Sequence, residues 1–175
     1  MEKKNNKVGI LGGTFDPPHK GHLYISKIAL KKLKLKKIIW VVTNQNPLKK
    51  KPYLSINDRL KLSKLITNGQ NKILIKNQNN IIKSKNTFSL LKKIKSNNKK
   101  IKLFFLIGAD NLVNFHRWNN WNKIPIFAKI VVFNRPGYMK KAKNSIAAKR
   151  LDKKDWVYIN TKGINISSSL IRKFW

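Results

Sequence analysis

Six short apolar runs recur along the chain, and most are followed by a stretch whose apolar positions fall at helical spacing. KVGIL (7–11), KIIWVV (37–42), KILIK (72–76), IKLFFLIG (101–108), AKIVVFN (128–134) and WVYIN (156–160) read as strands, because β-branched and aromatic residues crowd into short runs bounded by polar ones. They are apolar on both faces, as in a parallel sheet covered by helices on each side. Between them, Leu23, Ser26, Ile28, Leu30 and Leu33 mark a helix over 20–35. Ser55 is placed to cap a second over 56–68, with Leu60, Leu62, Leu65 and Ile66 turned inward, and Thr87 to cap a third carrying Phe88, Leu90, Leu91 and Ile94. A last short helix opens at the serines 167–169, while 77–86 and the lysine-rich 139–150 read as surface loop and exposed helix. The alternation predicts an α/β fold with a doubly wound parallel sheet, in one domain spanning 1–175.

Composition changes this picture little. Of 175 residues, 41% are apolar and gathered in segments, enough for a buried core. The runs are far too short to cross a bilayer, and VGILGG passes into polar Thr14 and Asp16 with no signal-peptide cleavage site, so a cytoplasmic protein without a membrane partner is expected. The chain has no cysteine, which excludes disulfides, thiolate metal sites and cysteine nucleophiles. The formal charge of +34 would suit a nucleic-acid partner. All but five of the basic residues are lysine, however, and they are spread along the whole chain in company with abundant asparagine and isoleucine. That is the product of AT-rich coding rather than of a basic arm or stripe. No nucleic-acid partner is expected, although the charge enriches anionic substrates near the surface.

The candidate chemistry sits in GILGGTFDPPHKGH, 9–22, where the first strand breaks on glycines and prolines and resumes as a helix. In an open α/β sheet, ligands lie beyond the carboxyl ends of the strands, near where strand order reverses. Gly12 and Gly13 permit close backbone approach, and the following helix end offers amides and a positive dipole. The dinucleotide fingerprint would require glycine at 14 and 17, where Thr14 and Pro17 stand, and the Walker pattern is absent. In their place is His19-Lys20-Gly21-His22, two of the three histidines on one helical turn. Such a pair can hydrogen-bond a phosphate left open to in-line attack, and Gly21 keeps the surface between them low. A structural or metal-binding pair is the alternative, and the glycine-broken turn before it favours nucleotide binding.

GGTFDPPHKGH resembles the signature of the nicotinate-nucleotide adenylyltransferases, within the nucleotidyltransferase superfamily that shares H-x-G-H. NPLKK (46–50) resembles that family's N-P-x-K loop, and NTFSLL (86–91) its T-x-x-T-L helix start, with Ser89 and Leu90 slightly out of register. FLIGADNLVNFHRWNNW (105–121) is similar to its G-A-D-x-L…W segment, VVFNRPG (131–137) to its R-P-G turn, and INISSSLIR (164–172) to I-S-S-T-x-I-R, with Ser169 where threonine is usual. Related cytidylyltransferases and phosphopantetheine adenylyltransferases share the first turn, but GADNL and W-x-x-W set this chain apart from them.

The resemblance implies a Rossmann-like nucleotidyltransferase fold and adenylyl transfer from ATP to nicotinate mononucleotide, giving nicotinate adenine dinucleotide and pyrophosphate. It implies that His19, His22 and Arg172 are catalytic. For ATP it implies Gly12, Gly13, Thr14, His19 and His22 at the first turn, Gly108 and Asp110 at the ribose, and Ser168, Ser169 and Arg172 at the phosphates. For the mononucleotide it implies Thr14, Phe15, Thr87 and Trp118, with Arg135 or Lys49 toward its phosphate. Trp118 and Trp121 also suit simple core packing, and His116 is taken as structural. The sequence shows no tight acidic cluster for a two-metal site; Mg²⁺ is expected to arrive on the ATP phosphates. A homo-oligomer stays open.

Overall fold

The computed structural model describes residues 6–45, 50–162 and 164–175. Six strands form one sheet: β1 (Lys7–Gly13), β2 (Lys37–Val42), β3 (Ile73–Asn77), β4 (Lys102–Gly108), β5 (Ala128–Phe133) and β6 (Trp156–Ile159). Every pairing is parallel. The spatial order is β3-β2-β1-β4-β5-β6, so the direction of winding reverses between β1 and β4. That reversal opens a crevice beyond the carboxyl ends of these two strands.

The pleat decides which residues meet which layer. On one face Ile10, Phe105, Ile107, Ile130 and Val132 pack against Leu90 and Leu91 of α3 (Thr87–Asn97) and Leu112 of α4 (Ala109–Val113). On the other, Leu11, Leu106, Val131 and Phe133 pack with Trp40 and Val42 against Ala29 of α1 (Lys20–Lys32), with Leu60 and Ile66 of α2 (Ile56–Ile66) alongside. Each fully buried Ile, Leu or Phe contributes on the order of 1.5–3 kcal/mol, and this two-sided core holds the layers together beneath a strongly cationic surface.

The remaining helices are short: α5 (Met139–Lys143), α6 (Ile146–Arg150) and α7 (Ser168–Arg172). All six predicted strands are present. Some finer expectations are corrected. Asn86, not Thr87, caps α3, its side chain accepting from the Ser89 amide at 2.8 Å, and Thr87 becomes the first helical residue. Leu65 is 69% exposed, because the inner face of α2 is occupied by Arg59 and Ser63. The stretch 139–150 is not simply an exposed helix: Ala142 and Ala147 are fully buried, and the lysines point outward around them. Within 77–86, Gln78 is buried in a short 3-10 turn and donates to the Ser84 carbonyl at 2.6 Å.

Candidate active site

The corner after β1 is built by its own side chains. His19 occupies the position just before α1, and its Nδ1 accepts the Gly21 amide at 3.2 Å. The His22 Nδ1 accepts the His19 amide, also at 3.2 Å. This is a capping box made by two imidazoles where Ser and Glu are usual. A ring nitrogen that accepts an N–H carries no proton of its own, so each neutral ring bears its proton on Nε2. The expected amide cradle at this helix end is therefore partly closed: the amides of His19 and Gly21 are taken, and imidazole donors replace them. Burial, and next the Arg135 guanidinium, push the His19 pKa down from 6.5 to about 4, so it stays a neutral donor at physiological pH.

The rings lie 3.8 Å apart, centroid to centroid. Beneath them Phe15 lies 4.8 Å from His22 and stacks on Trp40 at 4.9 Å. The Trp40 Nε1 donates to Ser26 Oγ at 2.9 Å, and that hydroxyl donates to the His22 carbonyl at 2.8 Å. A side chain at Gly21 would collide with this arrangement, its Cβ falling 2.9 Å from the His19 ring and 3.1 Å from Ile166. The glycine is thus required by the imidazole itself as much as by any ligand.

Two clefts open at the switch in strand order, and Gly12, Gly13 and Trp118 line both. The first brings together Thr14, His19, His22, Gly108, Asp110, Ser168, Ser169 and Arg172, residues up to 158 positions apart in the chain. On its far side Asp110 Oδ2 pairs with Arg135 Nη1 at 2.5 Å. Among the described residues, Asp110 Oδ1 and Thr161 Oγ1 find no hydrogen-bond partner there. Gly108 makes room for the carboxylate: a Cβ would fall 2.5 Å from Asp110 Oδ1. The segment around α7 is stitched onto the first turn. Ser168 Oγ donates to the Pro17 carbonyl at 2.8 Å, and Arg172 donates to the Asp16 carbonyl with its Nη1 3.6 Å from the Asp16 carboxylate.

The second cleft holds Thr87 and Trp118, together with Thr43, Gln78, Lys85 and Arg117. Trp118 packs against Phe115 at 5.1 Å and lines both clefts. Arg135 lines the first cleft, held by Asp110. The Phe15 side chain, 2% exposed beneath His22, lines the floor of the first cleft. Lys49 lies outside the described residues. His116 lines neither cleft.

Two residues the sequence reading passed over organise the site. Asp16 is 4% exposed and accepts the amides of Tyr53 and Leu54, each at 2.9 Å. Arg59, 3% exposed, donates to the carbonyls of Thr14, Thr43, Asn44 and Leu54. Burial lowers its pKa from the usual arginine value, and the Asp16 charge opposes that shift. Among the described residues, no group of three or more His, Cys, Asp or Glu side chains is placed to hold a metal ion, and no helix is long and apolar enough to cross a membrane.

The cytidylyltransferase-like family model matches residues 10–174. A protein of Pelagibacter ubique named as a probable nicotinate-nucleotide adenylyltransferase is 43% identical over 173 residues, covering 99% of this chain and 96% of the relative. One of the same name from Clostridium perfringens is 35% identical, covering 95% of this chain and 85% of the relative. Among solved structures, the Plasmodium falciparum nicotinic acid mononucleotide adenylyltransferase complexed with NaAD superposes with a TM-score of 0.80 at 21% identity, covering 97% of this chain and 83% of that one. The fold, the motif order and these relatives agree: the chain belongs to the cytidylyltransferase-like family, among its nicotinate-nucleotide adenylyltransferases.

Proposed function

We infer that the chain, acting as a single domain, transfers the adenylyl group of ATP to nicotinate mononucleotide, releasing pyrophosphate and nicotinate adenine dinucleotide. The observation that carries this reading is the meeting of two clefts at Gly12–Gly13, one lined by the two imidazoles and Arg172, the other by Thr87 and Trp118. ATP takes the first and the mononucleotide the second, so one phosphate approaches the other across the glycine ridge. The attacking phosphate is already ionised at neutral pH, and no side-chain base or covalent intermediate is needed. Alignment and charge stabilisation remain.

His19 and His22 donate from Nε2 to the ATP phosphates, His22 stabilising charge at the transferred phosphorus. Arg172 and the α7 serines receive the β and γ phosphates. Asp110 Oδ1 accepts from the adenosine ribose. Thr87 holds the nicotinate carboxylate against Trp118, which supplies the stacking face. Mg²⁺, when bound, neutralises phosphate charge; Asp16 is committed to two amides and Asp110 keeps one oxygen on Arg135, which suits an ion carried by ATP and water. The substrates are soluble anions, so we place the reaction in the cytoplasm, with no nucleic-acid partner. Pyrophosphate release from ATP with each mononucleotide tests the reading. Strong turnover with nicotinate mononucleotide is expected, whereas product from CTP and glycerol phosphate alone would overturn it.

A further inference from the structure

Of the charged residues described, only Asp16 and Arg59 are buried. The Arg59 guanidinium reaches neither cleft lining and spends its donors on main-chain carbonyls. A single nitrogen, Nη1, bridges the carbonyls of Thr14 and Thr43, 2.6 Å from each. Thr14 belongs to the wall of the first cleft and Thr43 to the wall of the second. Nη2 extends the hold to the Asn44 carbonyl at 3.1 Å, and Nε donates to the Leu54 carbonyl at 3.1 Å. The Leu54 amide is meanwhile bound by Asp16, so this peptide strand is gripped at both its polar ends, and Asp16 lies beside Arg172.

We propose that Arg59 is a positioning residue for the transfer step: its fork sets the spacing between Thr14 and Thr43, and with it the distance across which the two phosphates meet. The proposal rests on the reaction inferred above. Three nitrogens of one rigid plane hold four carbonyls at once, which the single ammonium of lysine on its flexible stem does not reach together. A purely structural role would cost stability and leave the folded enzyme's chemistry intact. A positioning role separates binding from turnover, since each substrate still finds its own cleft while the approach between them is lost.

The test compares Arg59→Lys and Arg59→Gln with Leu103→Ala, a buried position near the amino end of β4 that lines neither cleft, at a temperature where circular dichroism shows each to be folded. For the Arg59 variants, kcat is expected to fall about 100-fold, with the Kd of ATP and of nicotinate mononucleotide, each titrated alone, within about threefold of wild type. Leu103→Ala is expected to lower Tm and keep kcat. The proposal is overturned if the Arg59 variants retain wild-type kcat, if either Kd weakens as far as kcat falls, or if neither variant folds, which would make the residue structural. Failure of the wild-type protein itself to form the dinucleotide would refute the reaction, a result separate from any of these.

Discussion

Replacing Gly21 by alanine isolates the imidazole geometry from the stability of the fold. The new Cβ would lie 2.9 Å from both Cε1 and Nδ1 of His19, and 3.1 Å from Ile166 Cγ2. Ordinary contact between such atoms is about 3.5–4.0 Å, so the ring must retreat by roughly 0.6–1 Å. The same movement breaks the 3.2 Å bond from the Gly21 amide to Nδ1, the contact that keeps the proton on Nε2. Misplacement of a positioned group by about 1 Å costs on the order of 100-fold in rate, which is about 2.7 kcal/mol of barrier. Helix propensity acts the other way, alanine being favoured over glycine by about 0.8–1 kcal/mol, so Tm should stay within about 3 °C of wild type. Pyrophosphate release alongside thermal melting reads both quantities. A variant with full turnover would show that the packing of Gly21 against His19 has no part in the chemistry.

Other expectations follow from the same site. His22→Ala should lower kcat by about 10²–10³-fold with little change in melting temperature, checked by steady-state kinetics on folded protein. Arg172→Gln should raise the KM for ATP by roughly tenfold or more, the worth of a charge-assisted phosphate bond, while equilibrium binding of the mononucleotide alone is unchanged. Because the His19 pKa is depressed to about 4 from 6.5, its contribution to stability is complete above pH 6.5 and is lost as pH falls from 6.5 toward 4, where the unfolded chain takes up a proton the folded ring refuses. His19→Asn, which can still cap α1, should flatten that part of the Tm–pH curve.

The sheet was legible because burial on both faces leaves continuous runs such as KIIWVV, and no surface constraint competes with them. Helix interiors were harder. Leu65 sits where periodicity turns it inward, yet α2 gives that face to Arg59 and Ser63, since the carbonyls it must satisfy outweigh another leucine contact. Spacing points to Thr87 as the cap of α3, whereas the neighbouring Asn86 takes that role, since both side chains suit a cap and spacing alone does not separate adjacent positions. In a lysine-saturated chain Arg59 read as one more solvated charge. A signal was present nonetheless: arginine is scarce here, and Arg59, Arg117, Arg135 and Arg172, four of its five positions, all sit in or directly behind the clefts. Where any cation would serve, this composition supplies lysine; arginine marks places that need a fork.

The ridge of Gly12 and Gly13 has a kinetic corollary. A molecule carrying both an adenylate and a pyridine ribotide would straddle the ridge and occupy either side at once, so departure of the dinucleotide requires two grips to loosen together. On the proposed reaction it should therefore compete with ATP and with mononucleotide alike.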